Sequence, residues 1–202
     1  MKRVIRHLLS FLILLVGNKI KAQKAIDLHF SKIVWANYIA DMPKNMHSNK
    51  LTIDFYAEIN SSGIMIFLEI DADNGKEKYF SYKLTEMQLQ ALDSVFNGSI
   101  SLNKHLEDTD HIEGMPYAGQ YDYLSVITKG NKKDEICFVA SDMSEKFKNT
   151  ISMLREITYK EEEYATTVVL SIPSQIKPSI LKLHKKSKYL PLIGSPPPPM
   201  MQ

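Results

Sequence analysis

The sequence predicts an α+β fold: an antiparallel sheet of about five or six strands with two helices on one face, built from two similar hairpin-plus-helix units. Three observations lead there. Short β-rich runs recur, separated by turn residues. Each of two such hairpins is followed by a segment with helical periodicity. A shift of 56 residues lays Thr85-Glu86-Met87 on Ser141-Asp142-Met143 and the Asn74-Gly75 turn on Gly130-Asn131. That last match lies in pattern, with few identical residues, and hairpin-then-helix units are common.

Taken in order, residues 26–42 carry Ile26, Leu28, Phe30, Ile33, Val34, Trp35, Tyr38 and Ile39. Ser31 would cap a short helix there, and a strand at 26–30 is equally readable. Residues 51–59, LTIDFYAEI, alternate loosely and read as a strand. Asn60-Ser61-Ser62-Gly63 is a turn. Residues 64–70, IMIFLEI, are almost wholly apolar, which suits a central strand covered on both faces. Asn74-Gly75 then turns the chain into the returning strand 77–84, because a type I′ turn needs positive φ at both central residues.

Thr85 opens a helix, with Gln88 completing a capping box. Its expected apolar stripe is Met87, Ala91, Leu92, Val95 and Phe96, and Asn97-Gly98 ends it. The second unit reads as strand 121–128, the Gly130-Asn131 turn and strand 135–140. Its helix is capped by Ser141 or Asp142, with Met143, Phe147, Ile151 and Leu154 as its stripe. The acidic run Glu161–Glu163 reads as a solvated helix end. Residues 165–172, ATTVVLSI, read as one more strand on β-branched content, and Pro173 and Pro178 break the chain beyond it.

Residues 1–22 have the layout of a secretory signal peptide. Lys2, Arg3 and Arg6 are positive, Leu8 to Val16 is apolar except for Ser10, and a polar stretch ends in a small residue. Cleavage is expected after Ala22, leaving Gln23 at the new terminus, and the segment resembles bacterial export leaders that end in Ala-Gln. No apolar run reaches the roughly 20 residues that a spanning helix needs. Residues 23–184 then form a single globular domain, and 185–202 a basic, proline-rich tail read as disordered.

Charge follows from this division. The whole chain carries 25 basic and 23 acidic residues, a formal charge of +2. The five basic residues of the leader leave with it, so the exported chain has 20 against 23, a charge of −3. Neither value gives an electrostatic footprint for nucleic acid. One cysteine, Cys137, excludes an internal disulfide framework and any multi-cysteine metal site. Its neighbours Ile136 and Phe138 are apolar, so it reads as a small buried hydrophobe in place of a nucleophile.

The densest titratable segment is His105-Leu106-Glu107-Asp108-Thr109-Asp110-His111-Ile112-Glu113, in a long connection that also carries Tyr117 and leads into Tyr121 and Tyr123. Two histidines and four carboxylates suit zinc or manganese, while the spacing matches no common ligand pattern and solvated loops are rich in such residues. Asp71-Ala72-Asp73-Asn74-Gly75 begins like a calcium loop but puts glycine one position early and Tyr82 where a bidentate Glu is required. Nucleophile-elbow, Walker, H-E-x-x-H and dinucleotide patterns are missing from the chain. Lys182, Lys185, Lys186 and Lys188 form a basic group before the tail.

The reading is an exported, non-enzymatic binding or interaction module of the bacterial cell envelope, facing a protein or small ligand and implying no cofactor. An immunity or inhibitor protein is one form it would take. The alternative is a hydrolase or metal-dependent enzyme using the polar loop around residues 105–113.

Overall fold

The structure is a computed structural model that describes residues 26–41, 50–71, 75–107, 120–160 and 164–187. Six strands form one antiparallel sheet: β1 (Phe30–Asp41), β2 (Lys50–Asn60), β3 (Ile64–Ile70), β4 (Glu77–Lys83), β5 (Tyr121–Thr128) and β6 (Lys133–Phe138). Their spatial order is β4-β3-β2-β1-β5-β6. The first four strands form a meander. The chain then crosses the sheet as helix α1 (Glu86–Phe96) and adds β5 and β6 on the free side of β1. Helix α2 (Glu145–Thr158) follows β6, and α3 (Ile176–His184) ends the described chain.

The class is α+β as expected, but with three helices among the described residues where two were predicted. Helix α3 lies where Pro173 and Pro178 were expected to break the chain. Pro178 is its third residue, in the first turn, where a backbone N–H has no acceptor within the helix and its loss costs nothing. Residues 165–172 form no strand. A single bridge, Ala165 to Phe80, and two backbone bonds tie residues 164–166 to β4, and the chain then leaves the edge with Val168 and Val169 exposed.

The hairpin at Asn60–Gly63 forms because Asn60 Oδ1 accepts from the amides of Ser62 and Ile64 and Gly63 takes φ +74°. Gly75, at φ +67°, turns β3 into β4; Asn74 lies outside the described residues. Thr85 and Gln88 form the expected capping box of α1. Its buried stripe is Leu89, Leu92, Val95 and Phe96, and Met87 faces solvent at 80% exposure instead of joining it. At the far end Gly98 takes φ +78°, where a Cβ would stand 2.5 Å from Thr128 Cγ2.

Helix α2 starts at Ser144, three residues beyond Ser141. Residues Ala140–Asp142 are spent on a 3-10 turn, and Met143 bridges to Leu106. Its stripe of Phe147, Ile151 and Leu154 is buried as expected, and Met143 is buried ahead of it. The start of the domain is β1 from Phe30, so neither the Ser31 helix cap nor a strand confined to 26–30 occurs. Strand β3 lies one place in from the edge, and Ile64 is partly exposed. The strand covered on both faces is β5, in which Tyr121 to Val126 are all buried.

Strand alternation divides the core in two. Ile33, Trp35, Phe55, Ala57, Ile59, Met65, Phe67, Leu124, Val126, Ile136 and Phe138 pack under α1 and α2. Val34, Ala36, Tyr38, Ile53, Tyr56, Tyr121, Tyr123 and Cys137 face the other way, where α3 contributes Ile176 and Ile180. Cys137 is thus a buried thiol on the face opposite Phe138, and burial pushes it up to about 12.

Two substitutions check this packing. Phe147→Ala empties a site against Phe96 and Phe138 and is expected to cost about 3–5 kcal/mol in urea unfolding. Gly98→Ala combines a positive φ with the Thr128 clash and is expected to cost more than about 1 kcal/mol in the same assay.

Candidate functional site

Two acids, Asp122 and Asp54, lie toward the end of the sheet where β1 stops and β5 begins. The first is the second residue of β5. Asp122 replaces an apolar residue on the α1/α2 face and is 2% exposed. Trp35 Nε1 and Asn37 Nδ2 donate to its Oδ1 at 2.8 and 2.5 Å, both from the same face of β1. Arg155 Nη2 on α2 donates to Oδ2 at 2.7 Å. Burial pushes this carboxyl up, and Arg155, Trp35 and Asn37 each oppose the push by favouring the charged form. One buried acid therefore ties β1, β5 and α2 together.

A second acid lies two strands over, on β2. The pairing of β1 with β2 slips between Asn37 and Tyr38: Asn37 faces Phe55 and Tyr38 faces Ile53, so Asp54 is an extra residue. The bulge reverses which side of β2 is apolar, from Phe55, Ala57 and Ile59 under α1/α2 to Leu51 and Ile53 on the opposite face. Asp54 Oδ2 accepts from Gln120 Nε2. Its Oδ1 is buried with no hydrogen-bond partner among the described residues. Burial pushes the Asp54 carboxyl up, with its own backbone amide, the Gln120 side chain and the Phe55 amide acting against it. Nearby, Ile39 pairs with Thr52 and is 47% exposed. On α2, one helical turn past Arg155, Tyr159 is 80% exposed. A buried carboxylate oxygen without a donor carries a desolvation cost that the fold leaves uncompensated.

The predicted loop is only partly within the described residues. His105 ends a 3-10 turn, Leu102–His105, that Asp134 holds by accepting from the Leu102 amide at 2.8 Å. The chain then clips onto the start of α2: Ser144 N–H donates to the His105 carbonyl at 2.7 Å, Leu106 bridges to Met143, and Glu107 N–H donates to Asp142 O. His105 Nδ1 lies 3.1 Å from Ser144 Oγ, and Nε2 is buried without a partner among the described residues. Burial and the Lys146 charge lower the imidazole below its ordinary value. Glu107 pairs at 3.8 Å with Lys148 on α2. Asp108, Asp110, His111, Glu113 and Tyr117 lie outside the described residues. Among the described residues, no group of three His, Cys, Asp or Glu side chains is placed to hold a metal ion.

Other predicted positions have structural roles or lie beyond the described chain. Tyr121 and Tyr123 are buried on the α3 face. Tyr123 donates to Glu135, and Tyr56 to Glu58 at 2.6 Å. Lys182, Lys185 and Lys186 are exposed around the end of α3. Lys188, the proline run and the cleavage residues Ala22 and Gln23 lie outside the described residues. No described helix is long and apolar enough to cross a membrane.

Asp122, Asn37, Arg155, Asp54 and Gln120 escaped the sequence reading. Asp122 alone left a signal: a carboxylate inside YDYLSVIT, where both faces of the strand are otherwise filled, must find donors if that strand is central. The chain matches no protein-family model and no curated protein sequence.

The two acids should respond oppositely. Asp122→Ala strands Trp35 Nε1 and Arg155 and is expected to cost about 3 kcal/mol, the low end for a broken buried pair because Arg155 keeps solvent contact. Asp54→Asn removes a charge that burial disfavours and is expected to leave stability equal or higher at pH 7. Thermal unfolding of both variants beside the parent chain checks the contrast.

Proposed function

We propose that the chain is an exported binding module of the bacterial cell envelope that grips a protein or small ligand with the sheet end around Asp54 and Gln120. The observation that carries this reading is Asp54 Oδ1: a buried acceptor left without a donor among the described residues, at a bulge where β2 carries one residue more than β1. A small rearrangement would let a donor from a partner satisfy it, and the exposed side chains of Ile39 and Tyr159 are proposed to supply apolar contact. An immunity or inhibitor protein is the form that fits a module of this size. The leader, with cleavage between Ala22 and Gln23, supports delivery to the periplasm or beyond. The recurrence of hairpin then helix, β3–β4–α1 and β5–β6–α2, supports reading the fold as two similar units placed on either side of the β1–β2 pair.

One observation favours the hydrolase alternative. Ser144 is the N-cap of α2, yet its hydroxyl makes no cap bond and instead meets His105 Nδ1 at 3.1 Å. A neutral imidazole beside a hydroxyl at the positive end of a helix is the minimum for a nucleophile and its base.

The test uses immobilised exported chain and an envelope extract. One partner is expected to be retained at a fixed ratio, and to be lost on Asp54→Arg and on Tyr159→Ala but not on Met87→Ala, a surface change elsewhere. Retention indifferent to Asp54 would sink the proposed surface. Labelling of Ser144 by a fluorophosphonate probe, abolished by His105→Ala, would replace the binding reading with the hydrolase one. Mass spectrometry of the exported chain is expected to show Gln23 as its first residue.

A further inference from the structure

Helix α3 is held to the sheet by three buried side chains at i, i+4 and i+8: Ile176, Ile180 and His184. Two of the three are aliphatic. The third is a titratable imidazole that is 1% exposed. Its Nδ1 lies 2.9 Å from the hydroxyl of Tyr38 on β1. Its ring stands edge-on to Tyr121 on β5, with centroids 4.7 Å apart at 81°, and to Tyr38 at 5.7 Å and 82°. Beneath α3, Cys137 on β6 points its Sγ at the carbonyl of Ile180, 3.8 Å away.

The setting suits a neutral ring and not a cation. The titratable groups that face the imidazole are Tyr38 and Tyr121, with Cys137 beneath them against Tyr38. Leu51 and Ile53 of β2 and Val139 beyond β6 are apolar. On α3 and just past its end the charges are Lys177, Lys182, Lys185 and Lys186, all cationic. Among the described residues no carboxylate pairs with His184. Tyr38 keeps its proton because burial raises it far above the usual tyrosine value, so its O–H is available to donate to Nδ1 in the tautomer that protonates Nε2. The helix C-terminus favours a cation at this position. Burial outweighs that effect and holds the imidazole below its ordinary value.

We propose that His184 is a proton-operated clasp: uptake of one proton by its ring releases α3 from the sheet and uncovers the surface formed by Tyr38, Tyr121 and Cys137. The direction follows from linkage. The docked ring has a lowered affinity for protons, so docking is at full strength above the free histidine value of about 6.5. As pH falls below that value, docking weakens by up to about tenfold per pH unit until the docked ring itself titrates. The cluster on the opposite face, under α1 and α2, contains no residue of α3. The clasp operates whatever the sheet end around Asp54 binds.

The chain carries its own reporter, because its one cysteine lies under α3. Labelling of Cys137 by 4,4′-dithiodipyridine, an activated disulfide that reacts in acid as well as at neutral pH, is measured at pH 7.5 and 5.5. Each rate is normalised to the same thiol in urea. The normalised rate is expected to rise at pH 5.5 in the parent chain, by up to about tenfold, and to stay flat in His184→Phe, which fills the site without titrating. Tyr38→Phe removes the donor to Nδ1 and should move the onset to higher pH. Amide protection, taken as exchange corrected for the intrinsic pH dependence of the amide itself, should fall at pH 5.5 at 176–184 and not in β1 or β5. A flat rate in the parent chain, an equal rise in His184→Phe, or an acid-induced loss of protection across the whole sheet would each overturn the proposal.

Discussion

The structure is governed by the burial of β5 on both of its faces. An antiparallel sheet ordinarily packs one face and leaves the other to water, with polar residues alternating outward. Here Tyr121, Asp122, Tyr123, Leu124, Ser125 and Val126 are buried in succession. Two layers must therefore cover the sheet. Helices α1 and α2 supply one; α3, with Leu170 and Ile172 ahead of it, supplies the other. Every polar atom in the middle of β5 then needs a partner within the protein. Asp122 draws in Trp35, Asn37 and Arg155, and Tyr123 donates to Glu135. Ser125 Oγ is left without one among the described residues. The cysteine is inert for the same reason, since the layer that hides Cys137 also raises its thiol.

Local signals carried much of this into the sequence. Turn residues with an obligatory geometry were legible: Gly63 and Gly75 take positive φ where a hairpin was read, and β3 spans the residues expected of it. The α1 cap was legible because both of its partners lie within four residues. What failed were features decided by distant chain. Residues 165–172 have the composition of a strand, but β-propensity expresses fit to a half-buried pleated surface. Only 164–166 find such a surface on β4, and the rest is drawn away toward α3. The start of α2 moved from Ser141 to Ser144 because residues 105–107 pair with 142–144. The candidate site was hidden for a related reason. Asp54 is singular only because β2 bulges against β1 at that residue, and its partner Gln120 is 66 positions away.

The sheet edges bear on where a partner is received. Exposed edge strands invite pairing with another chain, and proteins commonly cover them. On β4, Ser81 N–H donates to the Tyr164 carbonyl and Thr166 N–H to the Tyr79 carbonyl, so the chain occupies its own edge. On the other side, Asp134 of β6 holds the 3-10 turn at Leu102, and Cys137 meets Ile180 of α3. Strand addition from outside would have to displace these segments. Contact through side chains at a strand end displaces nothing. The Asp54 bulge provides that kind of surface: the carboxylate is fixed on a rigid strand, oriented by Gln120, and still short of one donor among the described residues. Asp122 stands in the same sheet with the opposite character, since its three donors all come from the fold. One acid is consumed in holding the elements together, and the other keeps one oxygen without a donor among the described residues.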